Sequence, residues 1–320
     1  MQTTEVLKKV SENVAKVMVG KQEVTELLLA ALAAGGHVLL EDMPGTGKTV
    51  LARSLAKSMD MNFSRIQFTP DLLPSDVTGL YYYHQKDEEF KFREGPVFTN
   101  LLLADEINRA TPRTQSALLE CMGEGQVSVE GNTKQMTKPF MVIATQNPVE
   151  TLGCFPLPEA QLDRFLMKLS MGDLTREEET AMLQRFMTAE PLTELSAVTT
   201  KEEISALQEA CRNVYVHPDL CDYMVRLTQK TRGGTSAGSG VSPRGTLALL
   251  RASQGLALVR GRDFVTPEDI KKVAVPVLAH RLISGDMSDT ERKNRILTLL
   301  SEVNVPTEDW NGNSAQSLGE

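Results

Sequence analysis

Two short stretches carry side chains that could do chemistry together. Lys48 and Thr49 follow a Pro44-Gly45-Thr46-Gly47 turn, and Asp105 and Glu106 close the apolar run Leu101 to Ala104. Glycines in such a turn let successive backbone N–H groups point into one loop. A lysine directly after it can reach a terminal phosphate, and a threonine hydroxyl can be offered to Mg²⁺. The cradle is assigned to Pro44, Gly45, Thr46, Gly47, Lys48, Thr49 and Val50. Adjacent carboxylates suit two further tasks: Asp105 holds Mg²⁺ through water, and Glu106 orients and polarises an attacking water. The combination points to binding and hydrolysis of a nucleoside triphosphate.

The loop departs from the pattern G-x-x-x-x-G-K-[ST] at its first position, where Asp42 replaces glycine. Aspartate tolerates a left-handed backbone better than most residues, so the turn can survive. A carboxylate so near the phosphates must point away from them.

The elements that must hold these groups are legible around them. Val38 to Leu40 is an apolar run, and Leu51, Ala52, Leu55, Ala56 and Met59 recur at helical spacing, which gives strand, loop, helix. Leu101 to Ala104 lacks polar alternation and reads as a strand buried on both faces, as in a helix-covered parallel sheet. Its carboxyl end, where open α/β sheets bind ligands, carries the acidic pair. Phe140 to Thr145 is a second such strand, ending in Gln146-Asn147-Pro148; Asn147 there suits either a bond to phosphate or water, or a plain Asn-Pro turn. Leu157 to Phe165 starts a short helix at Pro158 and places Arg164 at its far end, a position that also suits the helix dipole. Ser242-Pro243-Arg244 caps another helix, and an arginine in a first turn makes better sense with an anion beside it.

Upstream, Glu5 to Val19 and Val24 to Ala34 read as helices separated by Gly20. Val19 and Gly20 could approach a nucleotide base, and a helix C-cap fits Gly20 equally well. Phe63 to Phe68 reads as a strand, and the prolines and aspartates of residues 69–76 predict an irregular stretch. Leu80 to His84 and Phe90 to Arg93 predict a hairpin that carries Tyr81, Tyr82 and Tyr83. Those rings cannot all face one way on a strand, so the hairpin suits an external contact as well as internal packing. Thr111 to Met122 predicts a helix stopped by Gly123, and Gln126 to Met136 a second hairpin turning at Gly131-Asn132. From Gly172 onward the pattern is helical, so a boundary is expected there, dividing residues 1–171 from 172–320. The Gly/Ser-rich loop from Arg232 to Gly240 reads as mobile.

With 320 residues, 41% of them hydrophobic and 24% charged, the chain is long enough for about two globular domains. A formal charge of −8 supplies no general footprint for nucleic acid. The four cysteines show no metal-ligand spacing and read as buried free thiols. No cationic leader and no long apolar run is present, which predicts a cytoplasmic protein without a transmembrane segment.

In its order of motifs (MPGTGKT, NLLLADEINRA, VIATQNP, LPEAQLDRF, SPRG) the chain resembles the MoxR family of AAA+ ATPases. The resemblance runs from about Val19 to Arg281. It implies an αβα nucleotide-binding core with a parallel sheet, an all-α lid, and ATP hydrolysis with Mg²⁺ between the subunits of a ring, commonly hexameric. Lys48 and Thr49 then match Walker A, Asp105 and Glu106 Walker B, and Asn147 sensor 1. Arg164 matches an arginine finger that serves a neighbouring subunit, and Arg244 matches sensor 2. The tyrosine hairpin matches the helix-2 insert. The expected work is chaperone-like remodelling, or metal-cofactor maturation, of a protein client, with a von Willebrand factor type A domain protein as adaptor. A nucleic-acid motor and a nucleotide-regulated binding module with little turnover are the alternatives.

Overall fold

The computed structural model describes residues 2–148, 153–187, 190–232, 240–282 and 287–306. Most of the expected Gly/Ser loop, residues 233–239, lies outside them. The described strands are β1 (Val38–Glu41), β2 (Phe63–Gln67), β3 (Gly79–His84), β4 (Glu89–Glu94), β5 (Leu101–Asp105), β6 (Gln126–Val129), β7 (Asn132–Gln135), β8 (Met141–Gln146) and β9 (Met167–Leu169). Five of them form one parallel sheet in the order β2-β5-β8-β1-β9. The other four make two antiparallel hairpins, β3 with β4 and β6 with β7.

Strand alternation sorts the sheet's side chains into two cores. Leu101, Leu103, Ile143, Val38 and Leu40 face one layer, shared with the P-loop helix Lys48–Ser58 and the C-terminal helices. Leu102, Ala104, Val142, Ala144 and Leu39 face the other, shared with helix Pro112–Glu124 and Phe165. Burial of each such leucine contributes about 1.5–3 kcal/mol. Strands buried on both faces can therefore carry polar residues only at their ends, and β5 and β8 do so at the carboxyl edge.

Beyond β9 the described regular structure is helical: Arg176–Phe186, Pro191–Glu194, Lys201–Arg212, Pro218–Lys230, Pro243–Val259, Pro267–Leu278 and Asp289–Glu302. No helix among the described residues is long and apolar enough to cross a membrane.

Several local expectations need correction. The first helix, Gln2–Ala15, stops short of Val19, and Val17 and Met18 instead turn back toward Val14 O. The stretch before β3 is not wholly irregular: Pro74–Thr78 forms a short helix, its Asp76 carboxylate accepting the Leu73 N–H at 2.9 Å. Helix Pro112–Glu124 runs through Gly123 and closes at Gly125, which takes the left-handed conformation at φ 63°. Cys121 and Cys211 are buried as expected, but Cys154 is half-buried and Cys221 exposed. Cys221 is absent from the buried face that Leu220, Tyr223, Met224 and Leu227 build on their helix.

Candidate active site

The P-loop joins β1 to helix Lys48–Ser58, and Gly45 and Gly47 stand at φ 87° and 89°, conformations open to glycine at little steric cost. Gly47 is the helix N-cap, and no side chain caps the helix. The first-turn N–H groups thus form an anion cradle at the positive end of the helix dipole. Lys48 Nζ sits over the loop, donating to Asp42 O at 2.8 Å and Met43 O at 3.1 Å. Burial lowers the Lys48 ammonium from its ordinary range, while Asp42, Asp105 and Glu106 act in the opposite sense.

Asp42 answers the question its position raises. Its carboxylate turns to the end of β9, accepting from Ser170 Oγ at 2.8 Å and from the Met171 N–H. The expectation of a left-handed backbone is corrected, because Asp42 is not among the non-glycine residues with positive φ. The turn survives because the side chain is tied off outside the cradle.

The acidic pair is held from both neighbouring strands. Asp105 Oδ2 accepts from Arg65 on β2, at 2.7 Å from Nη2 and 3.2 Å from Nε. Its Oδ1 accepts from Thr145 Oγ1 on β8 at 2.6 Å. Glu106 Oε2 accepts from Gln67 Nε2 at 2.6 Å and Arg109 Nη1 at 3.1 Å. The Glu106 N–H donates to the same Thr145 oxygen at 2.8 Å. Glu106 stands at φ 56°, a conformation that costs a non-glycine residue roughly 1–2 kcal/mol, and these bonds hold it there. Asn147 is buried just past the end of β8.

Val19, Pro44, Gly45, Thr46, Gly47 and Val50 line one cavity of about 330 Å³, together with Met18, Met182 and Phe186. Its size and largely apolar wall suit a planar base. Gly20, at φ 68°, instead lines an adjoining cavity of about 430 Å³ with Glu41, Lys168 and Asp289. Thr49 begins the P-loop helix beside Lys48.

The two arginines have other partners. Arg164 is half-buried and donates from Nη1 to Leu119 O at 2.8 Å. It lies against Gly123, where an added Cβ would fall 2.2 Å from that nitrogen. Gly123 therefore makes room for Arg164 rather than ending its helix. Arg244 Nε lies 3.6 Å from Asp163 Oδ2. Arg65, Gln67, Arg109 and Thr145 are functional candidates that sequence reasoning missed. Arg65 and Gln67, two apart on a strand, share a face, but only the strand order puts that face beside β5.

A glycine loop feeding a helix from a parallel sheet, an acidic pair at the end of β5 two strands away, and a helical C-terminal region define the AAA+ class of P-loop ATPases. The profile of the ATPase family associated with various cellular activities (AAA) matches residues 37–167, and an AAA lid domain profile matches residues 229–299. The chain is 49% identical to YeaC of Bacillus subtilis, covering 94% of this chain and 95% of that one. It is 45% identical to Chaperone MoxR1 of Mycobacterium tuberculosis, over 84% of this chain and 74% of that one. A crystal structure from Cytophaga hutchinsonii is 38% identical with a TM-score of 0.86, covering 96% of each chain. The chain belongs to the MoxR family of AAA+ ATPases.

Proposed function

We propose that the protein hydrolyses ATP with Mg²⁺ between the subunits of a ring, commonly hexameric in such proteins, and uses the cycle to remodel, or to mature the metal cofactor of, a protein client. The observation that carries this reading is the uncapped P-loop helix with Lys48 over its loop, together with an Asp105-Glu106 pair held by hydrogen bonds from the neighbouring strands. The donor set fits a magnesium nucleotide. The Thr49 hydroxyl would hold the ion directly, and Asp105, whose oxygens already accept from Arg65 and Thr145, would hold it through water. When bound, the ion neutralises charge on the terminal phosphates.

The chain's own residues supply the remaining steps. The amides from Gly45 to Val50 and the Lys48 ammonium bind the phosphates. Val19 and the cavity beside it receive the base. Glu106 orients the attacking water and takes up its proton, and Asn147 fixes that water or a γ-phosphate oxygen. Arg164 serves the neighbouring subunit's nucleotide and Arg244 contacts phosphate from the lid. Residues 1–171 act as the nucleotide-binding unit and 172–320 as the lid. The adaptor is a von Willebrand factor type A domain protein, nucleic acid is not the client, and the compartment is the cytoplasm.

Lys48→Ala should abolish magnesium-dependent binding of a fluorescent ATP analogue that the unaltered protein binds. Equal binding by both proteins would overturn the assignment of the phosphate cradle.

A further inference from the structure

Arg281 is the most enclosed arginine near the site, its side chain 3% exposed. It follows helix Pro267–Leu278 in a short 3₁₀ turn, Ala279–Arg281. Its guanidinium donates from Nε to Asp163 Oδ1 at 2.6 Å. From Nη2 it donates to Asp163 O at 3.1 Å and Phe165 O at 2.6 Å. From Nη1 it donates to Leu166 O at 3.1 Å and Val277 O at 2.6 Å. Four of these five bonds enter the segment from Asp163 to Leu166, and Arg164 lies inside that segment. The helix leading to it, Glu159–Leu162, has only four residues and cannot fix a direction by its own hydrogen bonds.

Asp163 has a second task. Its Oδ2 lies 3.6 Å from Nε of the exposed Arg244, so one carboxylate touches the buried arginine and the lid arginine together. Burying a guanidinium is costly, and well-packed apolar side chains would often give equal or better stability. An ion pair at this point is better explained by geometry, because the planar fork of an arginine fixes each carbonyl it binds.

We propose that Asp163, clamped by Arg281, is a positioning residue that sets where Arg164 is presented to a neighbouring subunit. It acts through Arg164 and touches no reacting atom. The inference rests on the reading above, in which Arg164 serves the neighbour's nucleotide.

The test is turnover in mixed assemblies. Asp163→Asn keeps the shape of the side chain and removes its charge. It should lower kcat about 10- to 100-fold, the cost of a misplacement on the order of 1 Å, with ATP affinity unchanged. Mixed with Glu106→Gln subunits, which cannot turn over but still present an intact Arg164, the variant should recover turnover, because its own acids are intact. A merely structural defect would not be rescued by mixing. Arg164→Ala mixed with Glu106→Gln is the reference.

If Arg164→Ala is impaired and rescued while Asp163→Asn keeps full kcat, or is impaired and not rescued, the positioning role is overturned and the role of Arg164 stands. If Arg164→Ala itself turns over normally, the reading of Arg164 falls and this inference falls with it. Should Asp163→Asn fail to fold by circular dichroism, Arg281→Lys takes its place with the same outcomes. An ammonium there keeps the charge but lacks the planar fork whose three nitrogens are spread over Asp163, Phe165 and Leu166.

Discussion

The acidic half and the cationic half of the site are built on opposite plans. Asp105 and Glu106 are 14% and 21% exposed, and each is held by side chains from other segments of the same chain. Arg244 is 59% exposed, and its ion pair with Asp163 spans 3.6 Å, too weak a hold to fix it. Arg164 is folded onto the carbonyl of Leu119. One half is braced by several side-chain bonds to its carboxylates, while the other rests on a long ion pair and a single backbone carbonyl. Under the proposed function, the comparison assigns control of turnover to the cations and their carrier segment and gives the acids a fixed frame.

The strongest way to break this comparison is at Glu106. Glu106→Gln keeps the size of the side chain and can still bond Gln67 and Arg109, but it cannot take a proton. Turnover should fall about 1000-fold, within the range for loss of a general base, with magnesium-dependent ATP affinity retained. Phosphate release and nucleotide titration measure the two separately. Turnover close to that of the unaltered protein would show that the fixed acid half does not limit the chemistry.

How much of this was legible in the sequence follows from the range of the interactions. Lys48 and Thr49, or Asp105 and Glu106, act as neighbours along the chain, so spacing alone exposes them. Strands β5 and β8 announce themselves because burial on both faces demands uninterrupted apolar residues. The tyrosine hairpin was legible as a hairpin, and alternation sets Tyr82 on the face opposite Tyr81 and Tyr83, whose surroundings differ with their distance from the turn. Tyr81 packs on Phe92 at 5.2 Å and through it toward Phe98, while Tyr83 and Phe90 pair at 5.5 Å and remain exposed. Arg65, Gln67 and Thr145 escaped because their partners lie on adjacent strands distant in sequence, and strand order cannot be read from periodicity. Asp42 looked like a defect in the loop until β9 supplied its partners. Gly123 looked like a helix stop because sequence does not reveal that a guanidinium lies against it.

A second test concerns how the acidic half is anchored to the fold. His37, buried just before β1, accepts the Val142 N–H on Nδ1 at 3.0 Å, so its proton resides on Nε2 and is given to Met122 O at 3.1 Å. It thereby ties β8, which carries Thr145, to helix Pro112–Glu124. Burial pushes its pKa down from 6.5 to about 4. Between those values the unfolded chain binds a proton that the folded chain refuses, because burial deprives the imidazolium of its hydration. The contribution is therefore complete above about pH 6.5, falls by about 3 kcal/mol as pH drops to about 4, and levels off below. Urea unfolding at pH 7 and pH 4.5 should show a smaller acid loss for His37→Gln than for the unaltered protein. Equal losses would remove His37 as the source.

The finest test separates frame from chemistry within the acidic half, and it falls on Thr145. One hydroxyl donates to Asp105 at 2.6 Å and accepts the Glu106 N–H at 2.8 Å, so a single oxygen sets the spacing of both acids. Thr145→Val keeps the volume and removes that oxygen. It leaves an amide unpaired beside a backbone already strained at φ 56°, at a cost of about 1–3 kcal/mol in stability. Turnover should fall about tenfold, because Glu106 loses its aim and keeps its chemistry. Thr145→Ser, which restores the oxygen without the methyl, should return turnover to nearly that of the unaltered protein, and a thermal melt would report the accompanying stability change. If Thr145→Val turns over at the unaltered rate while melting lower, the hydroxyl serves the fold alone, and the rigidity of the acidic half is incidental to the reaction.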